Sequence, residues 1–317
     1  MDFNNLVDNY KNTINSKLKS IYPQGPDLIK LPIHHILSGG KRFRPILCML
    51  TTDVCRGNSK DAIDIAVAIE LLHTFTLIHD DIMDEDVMRH GKETIHNKWD
   101  DSVAILSGDG MLAIALSELN KVHKHKSLFI DRFHSSLIEV CEGQALDLAF
   151  QNNNDVSIEE YIEMIDKKTG NIIGLSSEIG AIVADRDSSD QNQLKRYGQL
   201  LGRAFQIQDD LLEILSDSNK MGKSLKSDFL LNKKTFLSIK ARKIDSSYID
   251  DVINMAEYDY TKGMDLYKSF LNSNNIINET KNYIINILKQ ADDILDQINI
   301  DKEILYKYTN MILKRKF

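Results

Sequence analysis

The placement of proline narrows the fold more than any other feature of the chain. Pro23, Pro26, Pro32 and Pro45 are the only four in 317 residues, so everything after residue 45 lacks the residue that most strongly breaks a helix. Along that remainder apolar residues recur at spacings of three and four over 61–88, 102–120, 135–150, 158–184, 192–215 and 277–298, which is the period of an amphipathic helix. Alternating, strand-like stretches are scarce. Polar breaks such as HKHKS, QNNND and RDSSDQNQ are short enough to be helix connections and not domain linkers, and no fixed-period repeat points to a solenoid. The pattern predicts an all-α chain folded as one domain over residues 1–317, although length alone favours two.

Charge and cysteine content bound the function. A net charge of -8 and a pI near 5.6 exclude a general nucleic-acid binder, because phosphate backbones are held by clustered Lys and Arg. Basic residues are therefore read locally. Cys48, Cys55 and Cys141 have no metal-ligand spacing and cannot all pair, which predicts a reducing, cytoplasmic setting. The opening MDFNNLVDNYKN carries early acids and no signal-length apolar core. With no unbroken apolar run of roughly 18 residues, no stable membrane insertion is expected.

The pattern Asp-Asp-x-x-acid occurs at Asp80, Asp81, Asp84, at Asp209, Asp210, Glu213, and at Asp292, Asp293, Asp296. The neighbours of each triplet tell them apart. Around Asp292 the apolar residues Ile284, Ile287, Leu288, Ala291, Leu295 and Ile298 form one stripe with the acids opposite, as on an ordinary solvated helix. Around Asp209 apolar residues cover about half the circumference. Around Asp80 they cover nearly all of it, with His73, Thr76, Asp80 and Asp84 aligned on one side. A largely buried helix with an acidic stripe needs a cation, and carboxylates four residues apart suit Mg²⁺, which takes few carboxylates plus waters and phosphate oxygens. Two such helices would cage a metal diphosphate.

The other half of such a site should be basic, and three segments qualify. SGGKRFRP places Lys41, Arg42 and Arg44 beside two glycines at a predicted helix start, a ready anion site. Lys220, Lys223, Lys226, Lys233 and Lys234 follow the second acidic cluster, and Arg89 and His90 follow the first. Singly, each is more often a solvated face. Together their spacing favours a diphosphate site.

GGKRFRP, HTFTLIHDDIMDED, GQALDL, KKTG and AFQIQDD, in this order across about residues 30 to 240, resemble the trans-isoprenyl diphosphate synthase, or polyprenyl synthase, family, and its short-chain geranylgeranyl synthases of archaeal type in particular. The resemblance implies a single-domain isoprenoid synthase helical bundle around a central active-site cavity, a homodimer, and condensation of isopentenyl diphosphate with an allylic diphosphate (dimethylallyl, geranyl or farnesyl). It implies Mg²⁺, three ions per site, held chiefly by Asp80, Asp84 and Asp209 with Asp81, Asp210 and Glu213 in support. By the same resemblance Lys41, Arg44 and His73 grip isopentenyl diphosphate, with His90 beside them, and Arg89, Lys223 and Lys233 bind the allylic diphosphate. Lys168, Thr169 and Gln206 face that diphosphate or the developing cation, and Gln144 and Asp147 lie beside the reacting carbons. The terminal LKRKF resembles a basic tail that closes over the pocket in some relatives.

The bare residues suit that chemistry. Departure of a diphosphate builds negative charge that metal ions and Lys or Arg stabilise, and a second basic site holds the other substrate close. Three positions depart from the family pattern. His90 stands where a second arginine is usual and offers one donor in place of a fork, which predicts weaker, more pH-sensitive binding of isopentenyl diphosphate. Glu213 replaces an aspartate and Lys226 a glycine. In the family, the residues four and five before the first aspartate set the pocket floor; here they are Thr76 and Phe75. Thr76 lies one turn, about 6 Å, below Asp80 and lets a growing chain pass, while Phe75 narrows the channel from the side. The expected product is geranylgeranyl diphosphate, C20, with farnesyl diphosphate, C15, the alternative. An HD-type phosphohydrolase reading of IHDD leaves the second acid cluster and the Gly-Gly-Lys loop unexplained. A class I terpene cyclase has no need of Lys41, Arg44 and His73, and a regulatory subunit has no need of the complete first motif.

Overall fold

The structure is a computed structural model that describes residues 2–215, 229 and 233–313. Lys220, Lys223, Lys226 and the last four residues of the LKRKF tail lie outside the described residues. The described part is helical except for one short hairpin. In order, the elements are α1 (Phe3–Lys19), α2 (Asp27–Leu37), α3 (Phe43–Val54), a 3-10 turn (Ser59–Ala62), α4 (Ile63–Met83), β1 (Met88–Arg89), β2 (Lys92–Glu93), α5 (Ile95–Lys98), α6 (Asp101–Leu119), α7 (Lys126–Gln151) and α8 (Ile158–Ile165). A π turn (Asp166–Gly170) leads into α9 (Asn171–Val183) and α10 (Ser188–Leu215), followed by α11 (Phe236–Tyr258), α12 (Tyr260–Ser273), α13 (Ile276–Asp296) and α14 (Glu303–Leu313).

The prolines sit where helices tolerate them: Pro26 caps α2, Pro45 lies in the first turn of α3 where its missing N–H has no partner to lose, and Pro32 alone lies inside a helix, α2. Every residue of α9 from Asn171 to Ile182 is buried. It packs between α3, α7 and α10, so its largely apolar sequence is matched by neighbours on several sides. Each fully buried Ile or Leu there adds about 1.5–3 kcal/mol relative to exposure. The same holds for α4 from Ile65 to Leu72, which runs against α6.

Several predicted boundaries move. The 61–88 pattern ends as a helix at Met83, because Glu85 adopts a left-handed conformation (φ +53°) and closes a Schellman motif: Glu85 N–H donates to the Ile82 carbonyl (3.3 Å) and Asp86 N–H to that of Asp81 (3.0 Å). The 158–184 pattern is two helices joined by the π turn, which adds a residue to one turn and rotates α9 relative to α8. Helix α7 begins nine residues before its predicted start, and α11, α12 and α14 fall outside the predicted helices. Asp293 and Asp296 of the third acidic triplet are exposed on α13, as the stripe opposite them predicts, whereas Asp292 is half-buried beside Thr309, against that expectation, because α14 packs over this end of α13. Arg186, Lys302 and Tyr306 instead tie that end of the molecule through surface contacts.

Candidate active site

The first acidic cluster sits at the carboxyl end of α4, and the Schellman turn divides its five carboxylates. Asp80 and Asp84 form one pair. Lys168 Nζ lies 3.0 Å from Asp80 Oδ1 and Lys233 Nζ 2.7 Å from Asp84 Oδ2. Burial opposes ionisation of Asp80, but Lys168, Arg89 and Lys233 hold its pKa below the ordinary value, whereas burial and the Asp80 charge raise that of Asp84. Asp81 and Asp86 form the other pair: both are buried and both accept from Arg89, Asp86 at 3.1 Å. Burial alone would lower the Arg89 guanidinium, yet Asp81, Asp80 and Asp86 together carry it above its ordinary value. Glu85 is exposed, whereas the helix stop turns Asp86 back inward.

Arg89 therefore starts a hairpin fixed from below. His90 (φ +51°) and Gly91 (φ +75°) form its two-residue turn, where positive φ at both positions matches the twist of the strands. Strands this short do not hold themselves together. The carboxyl end of α2 supplies the support: Lys92 Nζ donates to the Ser38 carbonyl and, at 2.7 Å, to Ser38 Oγ, and His35 Nε2 meets the Glu93 carbonyl at 2.8 Å. Ser38 leads directly into Gly39 (φ +131°) and Gly40 (φ +94°), so the hairpin and the Gly-Gly-Lys loop are tied to one helix end.

The three cations in that loop are placed differently. Arg42 is buried, donating to Asn15 Oδ1 (2.9 Å), Glu70 Oε1 (2.7 Å) and the Leu37 carbonyl. It anchors α3 to α4 and leaves the anion site expected of it to its neighbours. Lys41 is exposed. Arg44 Nη1 lies 2.9 Å from His73 Nε2; burial pushes the guanidinium down to about 10, with Glu70, Tyr308 and Asp209 pulling the other way. It remains charged at neutral pH. His73 is held neutral, its pKa well below 6.5 through burial and the charges of Arg44, Arg89, His90 and Arg42. Arg44, His73, Arg89 and His90 thus share one electrostatic neighbourhood, which Asp209 reaches from α10.

Two close helix contacts bring the KKTG segment to the acids. A Cβ on Gly143 would come within 2.4 Å of the Lys168 backbone nitrogen, and one on Gly202 within 2.6 Å of Gly170 Cα. Glycine at these positions lets α7 and α10 close on the π turn. Lys168 then reaches Asp147 Oδ2 at 2.6 Å as well as Asp80, and these two carboxylates raise its pKa against the effect of burial. Thr169 Oγ1 donates to Gln206 Oε1 (2.9 Å), Gln206 Nε2 to Asp210 Oδ1 (3.0 Å) and Tyr161 hydroxyl to Asp210 Oδ2 (2.6 Å). Gln144 Nε2 lies 3.6 Å from Met83 Sδ, at the end of α4. Asp210 and Glu213 line a cavity with Lys233, Thr235, Arg242 and Tyr267, and Glu213 acts on Tyr260. Tyr161, Asp86 and His35 were missed by the motif reading; Tyr161 and His35 carry no local sequence signal beyond position on a helix.

Phe75 is buried, its ring packed edge-on to His79 (centroids 4.8 Å apart, 66°). His79 in turn fills the space above Gly108 on α6, where a Cβ would fall 2.3 Å from its Nε2. Thr76 spends its hydroxyl on the His73 carbonyl (2.8 Å), leaving its methyl group as the face toward its surroundings.

Comparison with known proteins agrees with this geometry. Residues 26–272 match the polyprenyl synthetase family. The chain is 38% identical over 232 residues to a short chain isoprenyl diphosphate synthase of Methanocaldococcus jannaschii, covering 73% of this chain and 71% of the relative. It is 39% identical over 245 residues to a geranylgeranyl diphosphate synthase of Saccharolobus solfataricus, covering 75% and 72%. The crystal structure of a geranylgeranyl pyrophosphate synthase superimposes with a TM-score of 0.92 at 33% identity, over 98% of this chain and 99% of that one. With the match spanning both acidic clusters, the Gly-Gly-Lys loop and the π turn, the chain belongs to the polyprenyl synthetase family.

Proposed function

We propose that the protein is a trans-prenyltransferase that condenses isopentenyl diphosphate with an allylic diphosphate, dimethylallyl, geranyl or farnesyl, to give geranylgeranyl diphosphate. The observation that carries this reading is the pairing of Asp80 with Lys168 and of Asp84 with Lys233, a juxtaposition of carboxylates and ammonium groups suited to a metal diphosphate, next to the separate cationic group of Arg44 and His73.

Magnesium fits the donors. Asp84 Oδ1 is buried and accepts no hydrogen bond, so it has a lone pair to offer, and Asp80 Oδ1, ion-paired to Lys168 at 3.0 Å, keeps a second lone pair. Among the described residues no three His, Cys, Asp or Glu side chains converge as a ready cage, which suits an ion that takes one or two carboxylates and completes its shell with water and phosphate oxygens. Asp80, Asp84 and Asp209, with Asp81, Asp210 and Glu213 behind them, are the proposed holders of three Mg²⁺ ions. When bound, the metal supplies Lewis-acid stabilisation of the departing diphosphate.

The chain's own residues do the rest. Lys168, Lys233 and Arg89 add fixed positive charge where the allylic diphosphate gains negative charge, with Lys223 joining them from outside the described residues. Lys41, Arg44, His73 and His90 orient the diphosphate of isopentenyl diphosphate so that its double bond faces the electron-poor carbon. The oxygens of Thr169 and Gln206 shelter the positive charge without forming a bond to it, and Gln144 and Asp147 lie along the same wall. A proton then leaves toward the released diphosphate, so no protein base is required.

A single domain over residues 1–317 is supported by one continuous hydrophobic core. A homodimer is supported by α6, of which only 44% of the apolar window is buried. A cytoplasmic location is supported by three cysteines that are all free thiols. Product length rests on Phe75, with farnesyl diphosphate the second reading. Labelled isopentenyl diphosphate and Mg²⁺, incubated with each allylic starter and analysed by chain length, tests both parts. A C20 product is expected, Phe75→Ala should yield longer chains, and an unchanged distribution in that variant rules out Phe75 as the gauge.

A further inference from the structure

The hydrogen bonds around Asp210 run in a chain across three elements. Tyr161 on α8 is 1% exposed and donates to Asp210 Oδ2; Gln206, one turn before Asp210 on α10, donates to Oδ1; and Thr169 on the π turn donates to Gln206 Oε1. Direction along this chain is fixed by chemistry. An ionised carboxylate only accepts and a phenol beside it must donate, so the end of the Gln206 amide that meets Asp210 is the NH₂ group. Its oxygen is therefore turned to the other side, toward Thr169, next to Lys168 and hence to Asp80. Asp84 contrasts with this: its Oδ1 accepts no hydrogen bond, whereas both Asp210 oxygens hold one.

We propose that Tyr161 and Asp210 are positioning residues that fix the orientation of the Gln206 amide, and that this, more than metal binding, is the task of Asp210. The inference rests on the reading that Thr169 and Gln206 face a developing positive charge. For that task the sign of the amide dipole matters. With its oxygen forward the amide stabilises the cation; rotated by half a turn it presents N–H hydrogens and destabilises the same state. Without Asp210, and the Tyr161 hydroxyl that holds Asp210 in place, nothing on that side of the amide distinguishes its two ends.

Tyr161→Phe removes only the hydroxyl and keeps the buried ring, so it separates the possibilities. Its kcat should fall about tenfold, the scale of one hydrogen bond to a charged group, with KM for both diphosphates and the Mg²⁺ half-saturation point unchanged to within about twofold. In a Gln206→Met background, where there is no amide to orient, Tyr161→Phe should cause little further loss. Thermal unfolding of each variant shows whether the fold is retained. A raised Mg²⁺ requirement in Tyr161→Phe assigns Asp210 to the metal and overturns the proposal. Losses that multiply in the double variant, or unchanged kcat, overturn it as well. Absence of prenyl transfer by the parent chain, measured alongside, faults the functional reading itself.

Discussion

At the scale of single residues, the departures from the family pattern become interpretable once their surroundings are known. His90 occupies the left-handed first position of a hairpin turn, exposed to solvent, and its charge is felt at His73. Replacing it by arginine puts a permanent, forked donor beside Arg44. His90→Arg is expected to lower the Michaelis constant for isopentenyl diphosphate by about three- to tenfold, the gain of a charge-assisted contact, in steady-state kinetics at pH 7.5 or above; an unchanged constant removes His90 from the substrate site. His73 makes a separate prediction about stability. Its ordinary pKa of 6.5 is strongly lowered in the folded protein, so below that pH the unfolded chain binds a proton that the folded one refuses. Stability is fully present above 6.5 and is lost as the pH falls, with a slope of up to about 1.4 kcal/mol per pH unit from this group. His73→Gln should flatten the denaturant-midpoint profile between neutrality and pH 5; a slope identical to the parent's means the imidazole titrates normally. Asp81 and Asp86 show the limit of reading residues by type. Five acids in seven positions look alike in sequence, and only the fold sorts them into a pair facing Lys168 and Lys233, a pair clasping Arg89, and one solvated glutamate.

Among the elements, the end of α4 and the π turn decide where chemistry is possible. The helix stops because Glu85 takes a conformation that glycine adopts at little cost and other residues adopt at a penalty of about 1–2 kcal/mol. Part of that returns as lost chain entropy when glycine is introduced. Glu85→Gly is thus expected to raise stability by about 0.5–1 kcal/mol and to leave activity intact, as measured by urea denaturation; destabilisation means that the glutamate side chain contributes more than its backbone strain removes. The Schellman bonds, Glu85 to Ile82 and Asp86 to Asp81, are visible only in coordinates. The π turn was equally hidden, since KKTG lies inside a pattern that reads as uninterrupted helix. Its extra residue rotates Lys168 and Thr169 toward α4 and α10, and the absence of side chains at Gly143 and Gly202 allows the backbone approach. Helix existence was legible for α4, α6 to α10 and α13 because periodicity records burial. Helix ends were not, because they depend on a few hydrogen bonds with no periodic signature.

For the whole molecule, partnership turns on α6. Its sequence is as apolar as that of a membrane span, yet Ile105, Leu106 and Ala113 are exposed and Leu112 and Leu116 only half-buried, and Ile138 on α7 is 59% exposed. A face of this kind is stable in water when a second copy covers it. If the proposed homodimer forms through this face, Ile105→Glu should lower the sedimentation coefficient to that of a monomer in sedimentation velocity; retention of the parent's sedimentation coefficient excludes this face as the contact. The all-α class and the five family motifs were determined by the chain itself, because helical period and residue chemistry are local properties that survive in a linear string. What the tertiary structure decided was assignment among chemically identical groups: which arginine of the Gly-Gly-Lys loop is buried as a strut on Glu70 and which meets His73, which aspartate faces an ammonium group and which holds Arg89 or Tyr161. Those outcomes depend on distances of about 3 Å between residues as many as 149 positions apart, as for Lys233 and Asp84, and on burial that sets each group's charge. Neither is encoded in spacing along the chain, since both arise only when helices with matching small residues close on one another.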